Sequence, residues 1–216
     1  MTATRTAKLK RTAAAILAAF GWASLALQFW LMMMTAGVMA ISPLEGVLRF
    51  FSSFGIQANI LATLVLTAFA IKRAPDEWLV HPFVRSAVAV YITVAGLIHV
   101  LLVRPLWLPI DVLWIAGVVL QCVMPVGYLL FWLVCVRKSG LRWYDPLLWL
   151  IYPVFYVGFL LVRGKLSGFY PYPFIDAKTL GYASVAANTA GLLIVCAALG
   201  GLLVAIGLRL ARRRPV

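Results

Sequence analysis

Two side chains in this sequence place reactive groups beside long apolar runs. Ser53 precedes the run 54–71, and His99 lies near the end of the run 86–103. An imidazole titrates near neutral pH and can accept a proton from a hydroxyl group, and a hydroxyl activated in this way can attack an ester. The pair therefore suggests a catalytic site with Ser53 as nucleophile and His99 as base. The alternative is a structural His99 that is bonded to Asp111 or to a backbone carbonyl.

A larger set of polar side chains lies within or next to the apolar runs. Polar groups are costly in hydrocarbon, so they usually face a helix-bundle interior or a wet cavity. We expect one pocket in the outer half of the membrane, lined by Gln57, Asn59, Gln121, Asn188, Arg163, Tyr170, Tyr172 and Asp176. The alternative is ordinary hydrogen bonding between helices, at about 0.6–2 kcal/mol per bond.

The loop 163–181 is rich in aromatic residues and proline. Pro171 and Pro173 favour an extended backbone at the tyrosines that precede them, so we expect a stiff arm with alternating aromatic contacts. Such an arm is either an anchor at the membrane interface or a lid over the pocket.

Metal and cofactor chemistry is not predicted. Cys122, Cys135 and Cys196 form no CxxC motif, and each lies inside an apolar run. The two histidines, His81 and His99, are expected at opposite membrane faces, which argues against a haem held by both. We therefore expect neither a cofactor nor a metal.

The composition is that of a membrane protein. Of the 216 residues, 64% are hydrophobic and 12% are charged, and the mean hydropathy is +1.01. A water-soluble globule and a disordered chain are both excluded by these values. The charged residues separate six apolar runs, and each is read as a transmembrane helix because about 20 such residues cross a bilayer. The predicted spans are 13–40, 54–71, 86–103, 112–136, 147–161 and 182–208 of one all-α transmembrane domain, 1–216.

The basic residues predict the orientation of this bundle. With six spans, 14 Lys and Arg residues fall on the side that holds both termini, and five fall on the other side. Cytoplasmic loops carry the excess of basic residues, so both termini are predicted to be cytoplasmic. The net charge of +13 then reflects topology and attraction to membrane lipids rather than nucleic-acid binding.

Three stretches resemble a known family. They are LRWYDPLLWLIYP at 141–153, VRGKLSGFYPYPFID at 162–176 and FFSSFGIQAN at 50–59. Together they resemble the bacterial Pr-six-Pr membrane proteins, which are distantly related to the androgen-induced gene family. The resemblance implies a six-helix bundle in a bacterial plasma membrane. Some animal relatives are intramembrane hydrolases of fatty-acid esters that use a threonine and a histidine, and the matching positions here are Gly55 and Gln121.

Three functions follow as hypotheses. The first is binding of a lipid or another amphiphile in the outer polar pocket. The second is hydrolysis of a lipid ester by a rearranged Ser53–His99 pair, and the third is transport of a small molecule. Charged residues are missing from the centre of the predicted spans, and their absence argues against ion-coupled transport.

Overall fold

A computed structural model describes residues 2–71, 78–103, 117–138 and 140–212. The prediction of an all-helical protein is confirmed in these ranges, where every regular element is a helix and none is a strand. The chain divides into two compact units, Met1–Gly140 and Leu141–Val216. The single-domain assignment stays a prediction.

The first unit contains five α-helices in its described residues. They are α1 (Thr2–Val38), α2 (Pro43–Phe51), α3 (Phe54–Ala70), α4 (Pro82–Ile98) and α5 (Met124–Cys135). A short 3₁₀ turn, Trp78–Val80, precedes α4. Two π-helical segments lie on either side of the undescribed residues 104–116: His99–Val103 continues α4, and Val119–Val123 leads into α5.

The second unit contains three α-helices, α6 (Asp145–Trp149), α7 (Ile151–Ser167) and α8 (Ala177–Arg212), in its described residues. A 3₁₀ turn, Pro173–Ile175, lies between α7 and α8. The α8 helix is interrupted at Gly181, whose φ of 75° lies in the left-handed region that glycine adopts without strain.

Four stretches of the described chain are long and apolar enough to cross a membrane. They are Arg5–Val38, Pro82–Leu102, Asp145–Ser167 and Ala177–Arg212. The pair α2 and α3, bent by 69°, adds a fifth if it counts as one span. The predicted span 112–136 begins outside the described residues, and its described part is the shorter apolar helix Val119–Cys135. Four or five helices could therefore span a membrane, and a sixth crossing stays a prediction.

Several helix boundaries differ from the predicted spans because charged residues do not end these helices. The basic N-terminal stretch is already helical within α1. The α7 helix continues past 161 to Ser167 and ends at Gly168, which has a φ of 71°. The α4 helix starts four residues before 86, at Pro82, where His81 caps it through the Phe83 N–H. Residues 43–51, expected to be a loop, form α2, whose N-terminus is capped by Ser42.

Neighbouring helices of the first unit are antiparallel. Contacts between α1 and α3 that fix this order are Arg11 with Ala70, Gly21 with Thr63, and Leu25 with Ile56. The same order holds for α4 and α5, because the Trp132 indole donates to the Ser86 hydroxyl at 2.8 Å, while Gly96 meets Pro125 further along. Helix termini therefore lie at two levels, one at each end of the unit, and neighbouring helices start at opposite levels.

Basic side chains collect at one of these levels. Arg11 donates to the Ala70 carbonyl at the end of α3, at 3.0 Å. Lys10 donates to the Val134 carbonyl near the end of α5, at 3.3 Å, and Lys138 donates to two further carbonyls there. The last carbonyls of a helix lack intrahelical donors and carry partial negative charge, so cations stabilise them. We call this level the basic end of the first unit.

The close packing of α1 against α3 requires glycine at position 21. A β-carbon there would clash with Oγ1 of Thr63 and would lie 2.8 Å from Cε of Met124. We expect Gly21→Ala to lower the free energy of unfolding in mixed micelles by about 1–3 kcal/mol, the usual cost of overpacking. Gly37→Ala is the matched control on the same helix, because a β-carbon there meets nothing within 4 Å. Equal stability of the two variants would contradict this packing.

Candidate functional site

The π-helical segment before α5 leaves a backbone carbonyl without its usual donor. The Met124 N–H donates to the Val119 carbonyl, five residues back, instead of to Leu120 as it would in an α-helix. In the π pattern, the donor for Leu120 would be residue 125. That residue is proline, which has no N–H. The Leu120 carbonyl must therefore find a donor outside its own helix.

Asn59 supplies that donor. Its side chain is fully buried on α3, and Nδ2 donates to the Leu120 carbonyl at 2.9 Å and to the Gly55 carbonyl at 2.8 Å. The Asn59 carbonyl in turn accepts the Thr63 hydroxyl at 2.7 Å. Asn59, predicted from sequence as a pocket residue, thus links α3 to the π-helical segment.

Gln121 lies against Gly55, one turn from Asn59. A β-carbon on Gly55 would be 2.5 Å from Nε2 and 3.1 Å from Oε1 of Gln121, so the amide occupies the space that any larger residue at position 55 would need. The Gln121 carbonyl oxygen also lies close to Gly96, at 2.8 Å from an ideal β-carbon there. Two glycines therefore allow the π-helical segment to approach both α3 and α4.

Three buried amide oxygens have no hydrogen-bond partner within the described residues: Oε1 of Gln28, Oδ1 of Asn59 and Oε1 of Gln121. Gln28 lies on α1 between Leu25 and Met32, which both pack in the apolar core formed with Ile56 and Leu120. We call Gln28, Asn59 and Gln121 the amide cluster. Buried polar atoms are normally bonded, so these three oxygens make the cluster a candidate site.

The predicted catalytic pair lies in the same unit. Ser53 is the N-cap residue of α3, is half-buried, and its hydroxyl does not cap the helix. His99 follows α4, begins a π-helical segment and is half-buried. Their assignment as nucleophile and base stays a prediction. Asp111, the alternative partner of His99, lies outside the described residues.

Polar neighbours of Ser53 bond to the short helix α2. The Ser52 hydroxyl donates to the Leu48 carbonyl at 2.5 Å, and Nε2 of Gln57 donates to the Phe51 carbonyl at 2.7 Å. Carbonyls at the end of a helix need such donors. These contacts secure the bend between α2 and α3, so they fit the structural alternative as well as the pocket.

In the second unit, Asp176 and Asn188 make structural contacts around the start of α8. The Asp176 carboxylate accepts the N–H groups of Lys178 and Thr179, at 2.9 and 3.3 Å, which is an N-cap arrangement. Nδ2 of Asn188 donates to the Phe174 carbonyl at 2.9 Å and ties α8 to the aromatic loop. Their pocket role stays a prediction.

The aromatic loop folds back on its own unit. The Tyr170 ring covers Gly164 so closely that a β-carbon there would clash with Cε1 of the ring. Partial burial raises the pKa of the Tyr170 phenol. The Tyr172 ring stacks on Phe174 with centroids 5.1 Å apart, where the 3₁₀ turn Pro173–Ile175 interrupts the extended arm that the sequence predicts.

Arg163 is almost fully buried in the same unit. Its guanidinium lies 5.0 Å from the centre of the Phe169 ring, a cation–π arrangement. These contacts account for how the aromatic loop is held against α7.

Sequence reasoning missed Gln28 and the π-helical segment. The signal for the segment was Pro125, four residues after Gln121 inside an apolar run. Gln28 had a weaker signal, since it is an amide inside the first apolar run.

Comparison of the chain with protein-family models, with curated proteins and with solved structures finds no match.

The hydrogen bond from Asn59 to the Leu120 carbonyl can be tested by a substitution and by a second substitution that supplies another donor. Asn59→Leu leaves the Leu120 carbonyl unsatisfied, and we expect the free energy of unfolding in mixed micelles to fall by about 1–3 kcal/mol. Pro125→Ala restores an N–H five residues after Leu120, so the same Asn59→Leu change should cost clearly less in the Pro125→Ala background.

Thr93→Val is the control, because within the described chain the Thr93 hydroxyl bonds to the Ala89 carbonyl of its own helix. We expect it to change stability little. If Asn59→Leu lowers the free energy of unfolding by the same amount in the wild-type and Pro125→Ala backgrounds, then residue 125 and Asn59 are not alternative donors to the Leu120 carbonyl.

Proposed function

We propose that this chain is a bacterial plasma-membrane protein of the Pr-six-Pr type that binds a lipid-like amphiphile at the amide cluster. It crosses the membrane six times, with both termini in the cytoplasm, and its partners are membrane lipids and the bound amphiphile. It does not use the threonine–histidine pair of the hydrolase relatives. The observation that carries the binding function is the group of three buried amide oxygens without a partner in the described chain.

The distribution of charge supports the orientation. The basic end gathers residues from the N-terminal part of α1 and from beyond α5, which the positive-inside rule assigns to the cytoplasm. The amide cluster lies toward the opposite ends of these antiparallel helices, since Gly55 and Asn59 are in the first turns of α3. It is therefore assigned to the outer half of the membrane.

The contact between Gly55 and Gln121 supports both the resemblance and the loss of hydrolysis. These positions are 66 residues apart in the sequence, and the family pattern would place a threonine and a histidine at them. A nucleophile and its base must lie within hydrogen-bond reach, and residues 55 and 121 do touch. Glycine has no nucleophile, however, and a neutral amide is not a base.

An ester-directed probe tests this proposal. We expect a fluorophosphonate with an alkyl chain to leave the purified full-length protein unlabelled, and Ser53→Ala to make no difference. We also expect lipid to co-purify with the wild-type protein and to be reduced severalfold in Gln121→Met, as quantified by mass spectrometry of the extract. Thr93→Val is the matched control and should retain the wild-type amount.

Three outcomes would overturn the proposal. Labelling that disappears in Ser53→Ala would favour the hydrolase with a rearranged Ser53–His99 pair. Solute flux in proteoliposomes that is unaffected by Gln121→Met would favour a transporter. Equal lipid content in wild type and Gln121→Met would remove the amide cluster from the binding site.

A further inference from the structure

We infer that the amide cluster selects neutral lipids whose headgroups donate hydrogen bonds from hydroxyl groups, of which a monoacylglycerol is a simple example. This inference rests on the proposed function, because it names the class of amphiphile bound at the same site. It follows from which polar atoms of the three amides have a hydrogen-bond partner in the described chain and which have none.

The orientation of the Asn59 amide is fixed by its neighbours. Nδ2 lies 2.8 Å from one backbone carbonyl and 2.9 Å from another, so rotating the amide would place Oδ1 against two acceptors. Nδ2 therefore already donates to two carbonyls, and Oδ1 is the atom without a partner in the described chain. Because Asn59 is fully buried, the cost of leaving this oxygen unsatisfied is not reduced by solvent.

The other two members of the cluster offer acceptors as well. Oε1 of Gln121 is buried beside Gly55, and Oε1 of Gln28 is buried on the face of α1 that packs against the same core. Three acceptor oxygens call for a ligand that presents donors, and a hydroxyl group can in addition accept from the Nε2 groups that Gln28 and Gln121 also carry. A glycerol headgroup with two free hydroxyls can satisfy more than one of them.

Charged headgroups suit this site poorly. A carboxylate or phosphate would carry a full charge into a buried site and would face the three acceptor oxygens, and Arg49, on α2, already forms an ion pair with Glu45 at 2.8 Å. An ammonium group could donate, but it would carry a full charge into a buried site, and Glu45, the one acidic residue within the described part of the first unit, is already paired with Arg49. A hydroxyl group donates without bringing a charge.

Four probes with one oleoyl or oleyl chain separate these headgroup classes: 1-monooleoylglycerol, methyl oleate, oleate and oleylamine. Their binding to the full chain in a non-denaturing detergent is measured by native mass spectrometry. We expect monooleoylglycerol to bind about tenfold more tightly than methyl oleate, which has no donor. Oleate and oleylamine should bind no better than methyl oleate.

Substitutions of the two glutamines test whether their side-chain oxygens cause this headgroup preference. Gln121→Met and Gln28→Met keep the side-chain length and remove the acceptor, so each should weaken monooleoylglycerol binding severalfold and leave methyl oleate binding unchanged. Thr93→Val should change neither. A thermal melt of each variant checks that the loss is not caused by unfolding.

The outcomes distinguish this inference from the proposed function. If all four probes bind equally and Gln121→Met weakens all of them, an amphiphile does bind at the cluster but the hydroxyl preference is wrong. If no probe binds, or binding is the same in both methionine variants and the wild type, both the preference and the proposed site are wrong. Selective binding of oleate or oleylamine would also overturn the hydroxyl preference.

Discussion

A buried carbonyl oxygen that water cannot reach needs a hydrogen-bond donor from the protein. In this chain the requirement is concentrated at the buried residue Leu120, where a π-helical turn and a proline together remove both possible backbone donors. Asn59 meets it from the neighbouring helix. For Asn59 to reach Leu120, the two helices must be close, and Gly55 and Gly96 provide the space around Gln121.

The same arrangement creates the candidate site. Using the nitrogen of Asn59 for structure leaves its oxygen directed elsewhere, and two glutamine oxygens in the described part of the first unit are left in the same state. A strictly structural polar network would pair these oxygens with N–H or O–H donors of the protein. Under the proposal, these buried acceptors are satisfied by an amphiphile whose hydroxyl groups bring the donors.

The sequence predicted the helical class and most apolar runs, because continuous hydrophobicity over about 20 residues is typical of membrane-spanning helices. It also identified Asn59 and Gln121 as unusual, since amides inside apolar runs are costly. It could not predict their contacts: that residue 55 meets residue 121 depends on how α3 packs against the π-helical segment. It placed helix ends at charged residues, whereas Arg163 is buried within α7 and the helix continues past it.

The bond from the Asn59 side chain to the Leu120 carbonyl can be observed directly in liposomes by solid-state NMR. The chain has two asparagines, so ¹⁵N-asparagine labelling combined with carbonyl-¹³C leucine gives few side-chain signals. We predict strong dipolar dephasing of the Asn59 amide nitrogen, as expected for a hydrogen-bonded carbonyl with an N···O distance near 2.9 Å. This dephasing should be largely lost in Leu120→Val, which removes the labelled carbonyl. Weak dephasing in the wild type, or equal dephasing in both proteins, would contradict the account.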